Sequence, residues 1–240
     1  MQMESLHQDE TIVALATAYG VGAVGMVRLS GKASIAIANK VFRGPDLSAV
    51  QSHTVHYGHI HNKDKVIDEV MVTVFKAPIT YTREDIVEIG CHGSTFIQDQ
   101  LIRVLIDQGA RLATQGEFTL RAFLNGRIDL SQAEAVNDLI HSENEMSRDI
   151  ALGQMKGGFK DQISALRQQL IKFASLVELE LDFSEEDVEF ADRSQLEELI
   201  LSTVKVLTGL IQSFEFGNVV RNGVPTAIVG RPNAGKSTLL

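Results

Sequence analysis

The 240-residue sequence has one cysteine, no tryptophan, four prolines and no long apolar run. A lone cysteine, Cys91, excludes an intramolecular disulfide and a zinc site built from cysteines. No run approaches the roughly 18 apolar residues of a membrane-spanning helix, and the polar first ten residues do not resemble a signal peptide. We therefore expect a cytoplasmic protein in a reducing compartment, with no membrane association.

Basic residues are also few: 22 Lys and Arg against 31 Asp and Glu give a net charge of −9. This balance argues against a protein that binds nucleic acid through its overall charge, but it does not exclude a local basic patch. The hydrophobic fraction of 44% excludes wholesale disorder. Residues 178–192 carry many acidic and no basic side chains. This acidic run is interpreted as a solvated helix end and loop, the alternative being a docking surface for a basic partner.

Hydrophobic periodicity divides the chain into two halves. In the first half it predicts helices over 32–42 and 95–108, and strands over 11–17, 24–29, 53–60, 66–75 and 86–89. After about residue 125 the strand signals stop. Ser131 and Glu134 match a capping box and predict a helix to about 152, and further helices are predicted over 160–181 and 192–214. The expected fold class is α+β, with an all-α part in the second half.

Residues 230–237, GRPNAGKS, match the G-x-x-x-x-G-K-[ST] pattern of a phosphate-binding P-loop and follow an apolar segment that predicts a buried strand. Gly230 and Gly235 allow backbone N–H groups to face phosphate oxygens. Lys236 can neutralise the β- and γ-phosphates, and Ser237 can ligate Mg²⁺. The three residues that follow cannot hold a complete nucleotide-binding domain, so we expect the front part of a longer protein.

Two other motifs are weaker. Residues 20–25 match G-x-G-x-x-G, but a strand rather than a helix is predicted after them. They are interpreted as a glycine-rich turn near a ligand or subunit contact, with a Rossmann-type oxidoreductase as the lesser alternative. Cys91 precedes His92, and because adjacent side chains on a strand point apart, Cys91 is interpreted as a packed residue rather than a nucleophile.

Charged residues stand inside two predicted strands: Arg28 in VGMVRLS and Glu88 in DIVEIG. A buried charge requires a partner or a ligand. Arg28 is therefore interpreted either as paired with an acid inside the fold or as placed for a ligand, and Glu88 likewise. Arg127, in the turn sequence NGRID, is interpreted as a surface cation or as a ligand contact.

Five segments of the chain carry a family resemblance: GVGAVGMVRLSG, YTREDIVEIGCHGS, GEFTLRAFLNGRIDLSQAEAVNDLI, ELELDFSEEDVEF and GRPNAGKSTLL. In this order they resemble the MnmE (TrmE) family of tRNA-modification GTPases, and the resemblance extends over essentially the whole chain. It implies an α/β folate-binding and dimerisation domain of the aminomethyltransferase type at 1–125. It further implies an incomplete helical domain at 126–219, and the first strand and P-loop of a Ras-like α/β G domain at 220–240.

The resemblance also implies a function. Members of this family work with the flavoprotein MnmG, as a heterotetramer, on the wobble uridine of certain tRNAs. They add an aminomethyl-type group at C5, with 5-formyl- or 5,10-methylenetetrahydrofolate as the one-carbon donor. They are homodimers whose GTP hydrolysis requires potassium and magnesium ions. The alternative function is a non-catalytic folate-binding dimerisation scaffold.

Site residues carry over by position. Arg28 and Glu88 match folate contacts of the family, and Arg127 stands at a folate position that is often lysine. The GTP-binding residues are Asn233, Ala234, Gly235, Lys236, Ser237 and Thr238, of which Asn233 matches a K⁺ ligand and Ser237 a Mg²⁺ ligand. The switch regions, the guanine-reading motif and the C-terminal cysteine motif of the family do not occur in the 240 residues. No catalytic residue is therefore assigned, and hydrolysis by this chain alone is not expected.

Overall fold

The computed structural model describes residues 10–182, 193–222, 227 and 229–231. It divides the chain into two compact units between Leu130 and Ser131. The described residues of the first unit form a mixed sheet and three helices, and those of the second unit are mainly helical, which confirms the α+β fold class. None of the described helices is both long and apolar enough to cross a membrane.

The strands of the first unit follow the predicted apolar alternation, except for two short strands that the sequence analysis missed. They are β1 (Ile12–Leu15), β2 (Val24–Ser30), β3 (Phe42–Arg43), β4 (Thr54–Asn62), β5 (Lys65–Phe75), β6 (Ile86–His92) and β7 (Arg111–Leu112). The missed strands, β3 and β7, contain two residues each. Two residues cannot show a period, so pattern analysis cannot detect them.

The helices of the first unit are α1 (Ser34–Val41), α2 (Thr95–Asp107) and α3 (Glu117–Leu124). The predictions for α1 and α2 are confirmed, and Gly109 follows α2 with a φ of +109°, a conformation that favours glycine. The sequence analysis missed α3. Its eight residues make little more than two turns, and it begins directly after Gly116 in the left-handed region.

The strand order in the sheet is β3-β4-β5-β6-β2-β1-β7, with antiparallel neighbours except for the parallel pair β1 and β7. Along β2 and β6, alternate side chains enter the hydrophobic core, where they join buried residues of α1 and α2. The main contributors are Val27, Leu29, Val87, Ile89, Ile37, Ala38, Leu101 and Leu105. Because side chains alternate between faces, the residues between these positions lie on the opposite face of the sheet.

The glycine-rich segment 20–25 leads into β2. The Gly22 N–H donates to the Gly93 carbonyl at 2.9 Å, and the Gly93 N–H donates to the Ala23 carbonyl at 3.2 Å. A Cβ on Gly93 would overlap the Gly22 carbonyl, so this approach of two backbones requires glycine. The segment connects β1 to β2 and opens no helix, so the Rossmann alternative is wrong, while a ligand or subunit contact at this turn stays a prediction.

The second unit contains the described helices α4 (Leu130–Ile140), α5 (Glu145–Met155), α6 (Gly158–Asp182) and α7 (Arg193–Asn222). The prediction of one helix from Ser131 to about 152 is wrong, because the chain turns between Ile140 and Glu145. Asn144 caps the second of the two helices: its side chain accepts a hydrogen bond from the Ser147 N–H at 2.8 Å. The other two helix predictions are confirmed, and most of the acidic run 178–192 lies outside the described residues.

Candidate functional site

Arg28 and Glu88 face each other across β2 and β6, where the strand register pairs them directly. The Arg28 Nε donates to Glu88 Oε1 at 2.7 Å, and Nη2 of the same guanidinium lies 2.7 Å from that oxygen. The two side chains are 29% and 19% exposed. The structure therefore shows the paired alternative for these two charges, on the sheet face away from α1 and α2 and open to solvent in part.

Two aromatic rings flank the Arg28 guanidinium. Its central carbon lies 5.9 Å from the ring centre of Tyr81, in the loop after β5, and 5.7 Å from that of Phe118 in α3. Both distances are within the range of cation–π attraction. The Tyr81 and Thr119 hydroxyls are 3.0 Å apart, so the loop and α3 are also bonded to each other. A charged pair beside two aromatic rings can hold a flat ligand that carries both hydrogen-bond donors and acceptors.

Arg127 lies in the turn after α3 and is exposed. Its N–H donates to the Ala122 carbonyl at 2.8 Å, which fixes the backbone of the turn. The same turn contacts the loop that carries Tyr81, because the Asn125 side chain donates to the Thr82 carbonyl at 2.6 Å. Among the described residues, the Arg127 side chain makes no ion pair with Glu88. The structure thus brings together two of the three residues expected to contact folate and places the third on an adjoining turn.

A chain of buried and half-buried charges runs from β7 through α3 to the loop that carries Tyr81, and the sequence analysis missed it. Arg111 Nη2 donates to Glu117 Oε1 at 2.6 Å, and Arg121 lies between Glu117 and Glu84 at 3.2 Å from each. Glu117 and Arg121 are each about 5% exposed. The signal available in the sequence was an acid and a base four residues apart in the otherwise apolar segment EFTLRAF.

Glu117 remains ionised inside the fold. Burial by itself would raise the pKa of this carboxyl group, but hydrogen bonds from Arg111, from the Thr114 N–H and from Arg121 lower the pKa from 4.5 to about 2. The Thr114 N–H lies 2.8 Å from Oε2. The carboxylate therefore connects β7, the segment after it and α3 through charge-assisted hydrogen bonds.

We expect the free energy of unfolding to decrease as the pH falls from about 4.5 towards 2. In this interval the unfolded chain binds a proton at Glu117 that the folded chain does not bind, and below about 2 the contribution is lost completely. Urea unfolding at several pH values measures the effect. A Glu117→Gln variant should show a shallower pH dependence, and an unchanged slope in this variant would contradict the assignment.

Cys91 and His92 do not form a catalytic pair. The Cys91 thiol is buried, it donates to the Gly25 carbonyl at 3.4 Å, and burial raises its pKa. The His92 ring is directed to Asp68, with 2.8 Å between Nδ1 and Oδ1. The prediction of a packed cysteine is confirmed.

Comparison with known proteins addresses both units. The family model "GTP-binding protein TrmE N-terminus" matches residues 11–127, and the model "MnmE helical domain" matches residues 130–225. The chain belongs to the MnmE (TrmE) family. The two MnmE-family matches meet near residue 130, where the structure also divides the chain into units.

Relatives named tRNA modification GTPase MnmE are similar to this chain over nearly all of its length. Those of Cytophaga hutchinsonii and Flavobacterium johnsoniae are 60% and 58% identical to it. The relative of Bacteroides thetaiotaomicron is 52% identical. Each alignment covers 98% of this chain and 51% of the relative. The chain therefore spans about half the length of the MnmE relatives it matches.

The P-loop expected from the MnmE resemblance lies almost entirely outside the described residues. Asn233, Ala234, Gly235, Lys236, Ser237 and Thr238 are not among them, so their roles toward GTP, K⁺ and Mg²⁺ stay predictions. In the apolar segment before the motif, Ala227 and Val229 are described without strand structure, and Val229 is 91% exposed. A single strand is not stable without neighbouring strands, and the described residues supply none here.

Proposed function

We propose that this chain is part of a tRNA-modification GTPase. The observation that supports the proposal is the succession of the two family matches, an N-terminal domain at 11–127 and a helical domain at 130–225, in relatives that carry this name. The P-loop pattern GRPNAGKS at 230–237 agrees with GTP as the substrate. In this proposal Lys236 contacts the phosphates, Ser237 ligates Mg²⁺, and Asn233 ligates K⁺ beside the transferred phosphoryl group.

We infer that the protein acts in the cytoplasm as a homodimer, dimerised through the N-terminal unit, and with MnmG on tRNA. The reaction proposed is the addition of an aminomethyl-type group to C5 of the wobble uridine, with a reduced folate as the one-carbon donor. The alternative is a folate-binding dimerisation scaffold without catalysis. Potassium-stimulated GTP hydrolysis by a longer chain that contains residues 1–240 favours the enzyme, whereas absence of hydrolysis favours the scaffold.

We propose that the folate site lies at Arg28 and Glu88, with Arg127 at the glutamate tail of the folate. Three features support this location: the paired charges are exposed in part, Tyr81 and Phe118 lie beside them, and Arg127 lies on an adjoining turn. A pteridine ring presents donors and acceptors that suit the carboxylate and the guanidinium. A cationic side chain suits the carboxylates of the tail.

Two measurements on the 240-residue chain test these proposals. Calorimetry with 5-formyltetrahydrofolate should show binding, and absence of heat would count against the folate site. Sedimentation of the same sample at micromolar concentration should show a dimer. A monomer under these conditions would contradict the proposal that the protein dimerises through residues 1–240. It would not change the conclusion from calorimetry about folate binding.

A further inference from the structure

Arg121 connects α3 to the loop between β5 and β6 through an ion pair with Glu84. Its guanidinium lies 3.2 Å from Glu117 Oε1 in its own helix, α3. It also lies 3.3 and 3.2 Å from the two carboxylate oxygens of Glu84, in the loop between β5 and β6. The Arg121 side chain is 5% exposed. The guanidinium is thus a buried bridge between α3 and this loop.

Glu84 extends the bridge to the strand that carries Arg28. The Ser30 hydroxyl, in β2, donates to Glu84 Oε2 at 2.7 Å and lies 2.6 Å from the Thr82 hydroxyl. Ser30 and Arg28 are two residues apart on one strand, so both side chains lie on the same face of the sheet. Arg121, Glu84 and β2 therefore form one bonded unit next to the Arg28–Glu88 pair.

The two elements bridged by Arg121 are also the two that supply the rings around Arg28. Tyr81 belongs to the loop of Glu84, and Phe118 lies in α3 between Glu117 and Arg121. If α3 and the loop separated by a small distance, the rings would leave the range of about 6 Å in which they attract the guanidinium. Uncharged hydrogen bonds also join the loop to α3 and to the turn after it, from Tyr81 to Thr119 and from Asn125 to Thr82. Arg121 is the link among these that joins the two elements through an ion pair.

General stability does not explain this arrangement well. Removing a guanidinium and two carboxylates from water costs free energy, and well-packed apolar side chains often stabilise such a location equally. What a planar guanidinium adds is direction, because its fixed donors hold two carboxylates at defined angles. Breaking the set is costly, but the set as a whole adds little stability over an apolar core, so a geometric role explains why charged residues stand here.

We propose that Arg121 is a positioning residue: by joining α3 to the loop of Glu84, it holds Phe118 and Tyr81 against Arg28 and so sets the affinity of the site for reduced folate. The part of this proposal that concerns folate rests on the proposed function. The part that concerns the rings does not, and it is tested without any ligand.

The ligand-free test observes the Arg28 side chain by NMR in the 240-residue chain. The Nε–H resonance, assigned by its loss in an Arg28→Lys variant, should move in Arg121→Met because both rings leave their positions. The matched control is Arg111→Met, which also removes a guanidinium from Glu117 but has no bond to Glu84. The control should leave the resonance in place. An equal shift in both variants, or none in Arg121→Met, would overturn the proposal.

The second test measures the affinity for 5-formyltetrahydrofolate by calorimetry. Arg121→Met should bind about tenfold more weakly, because the rings no longer hold the Arg28 guanidinium in place. Arg121→Lys should regain part of the affinity, and Arg111→Met should keep it. Unchanged affinity in Arg121→Met overturns the role in binding. If the parent chain binds no folate, the proposed function fails, while the NMR comparison still decides whether Arg121 holds the rings.

A milder substitution covers the case in which Arg121→Met does not fold. Glu84→Gln keeps an oxygen for the Ser30 hydroxyl and removes the charge that attracts Arg121. It should move the Arg28 Nε–H resonance in the same direction and weaken folate binding by a smaller factor. A folded Glu84→Gln chain with both properties unchanged would overturn the proposal.

Discussion

An Arg28→Ala variant of the 240-residue chain is expected to bind 5-formyltetrahydrofolate at least about tenfold more weakly than the parent chain, since a hydrogen bond to a charged group contributes about 1.5–3 kcal/mol. The substitution removes the guanidinium that Tyr81 and Phe118 flank, and it leaves Glu88 without its partner at 2.7 Å. Calorimetry measures the affinity, and circular dichroism verifies that the sheet is intact.

The control for this prediction is Arg43→Ala. Arg43 is exposed on β3, at one edge of the sheet, with β4, β5 and β6 between it and β2. Both variants lose one positive charge, so a general electrostatic effect on an anionic folate would weaken them equally. Full binding by Arg28→Ala, or equal weakening of both variants, would show that Arg28 is not a folate contact. A Glu88→Gln variant removes the negative charge of Glu88 and keeps the size of the side chain. Its affinity for 5-formyltetrahydrofolate therefore shows how far binding depends on that charge.

The second large effect is expected for stability. Glu117→Ala should lower the free energy of unfolding by about 3 kcal/mol or more, the usual cost of leaving a buried charge without its partner. The variant removes the carboxylate that accepts hydrogen bonds from Arg111, from Arg121 and from Thr114. Arg121 would then retain only Glu84 as a described ionic partner. Urea unfolding followed by circular dichroism measures the change.

Glu69→Ala is the matched control for the stability experiment. Glu69 also accepts a hydrogen bond, from the Tyr57 hydroxyl at 2.6 Å, but both side chains are exposed on the sheet. Hydrogen bonds and ion pairs at an exposed position contribute little, so its removal should change stability only slightly. If Glu117→Ala were no more destabilising than Glu69→Ala, the buried chain of charges would not be a structural support of the first unit.

The family resemblance and most elements of the first unit could be predicted because their signals are local. Alternating apolar residues predicted β2 and β6, and the 3.6-residue period predicted α2. The same alternation made Arg28 and Glu88 visible as charges on apolar strands. The break between α4 and α5 was missed although residues 141–145, HSENE, are all polar. The cap at Asn144 that begins α5 depends on a single side chain, which an apolar period does not register.

The sequence by itself determined the family, the α+β class, the P-loop pattern and the two charged positions in the sheet, since each depends on residues close together in the chain. Only the tertiary structure decided that Arg28 and Glu88 are partners. They are 60 residues apart, and β2 adjoins β6 in the sheet although β3, β4 and β5 lie between them in the sequence. The links from Arg121 to Glu84 and from Tyr81 to Arg28 are likewise long-range contacts. No local period encodes such contacts, because they depend on which elements pack together.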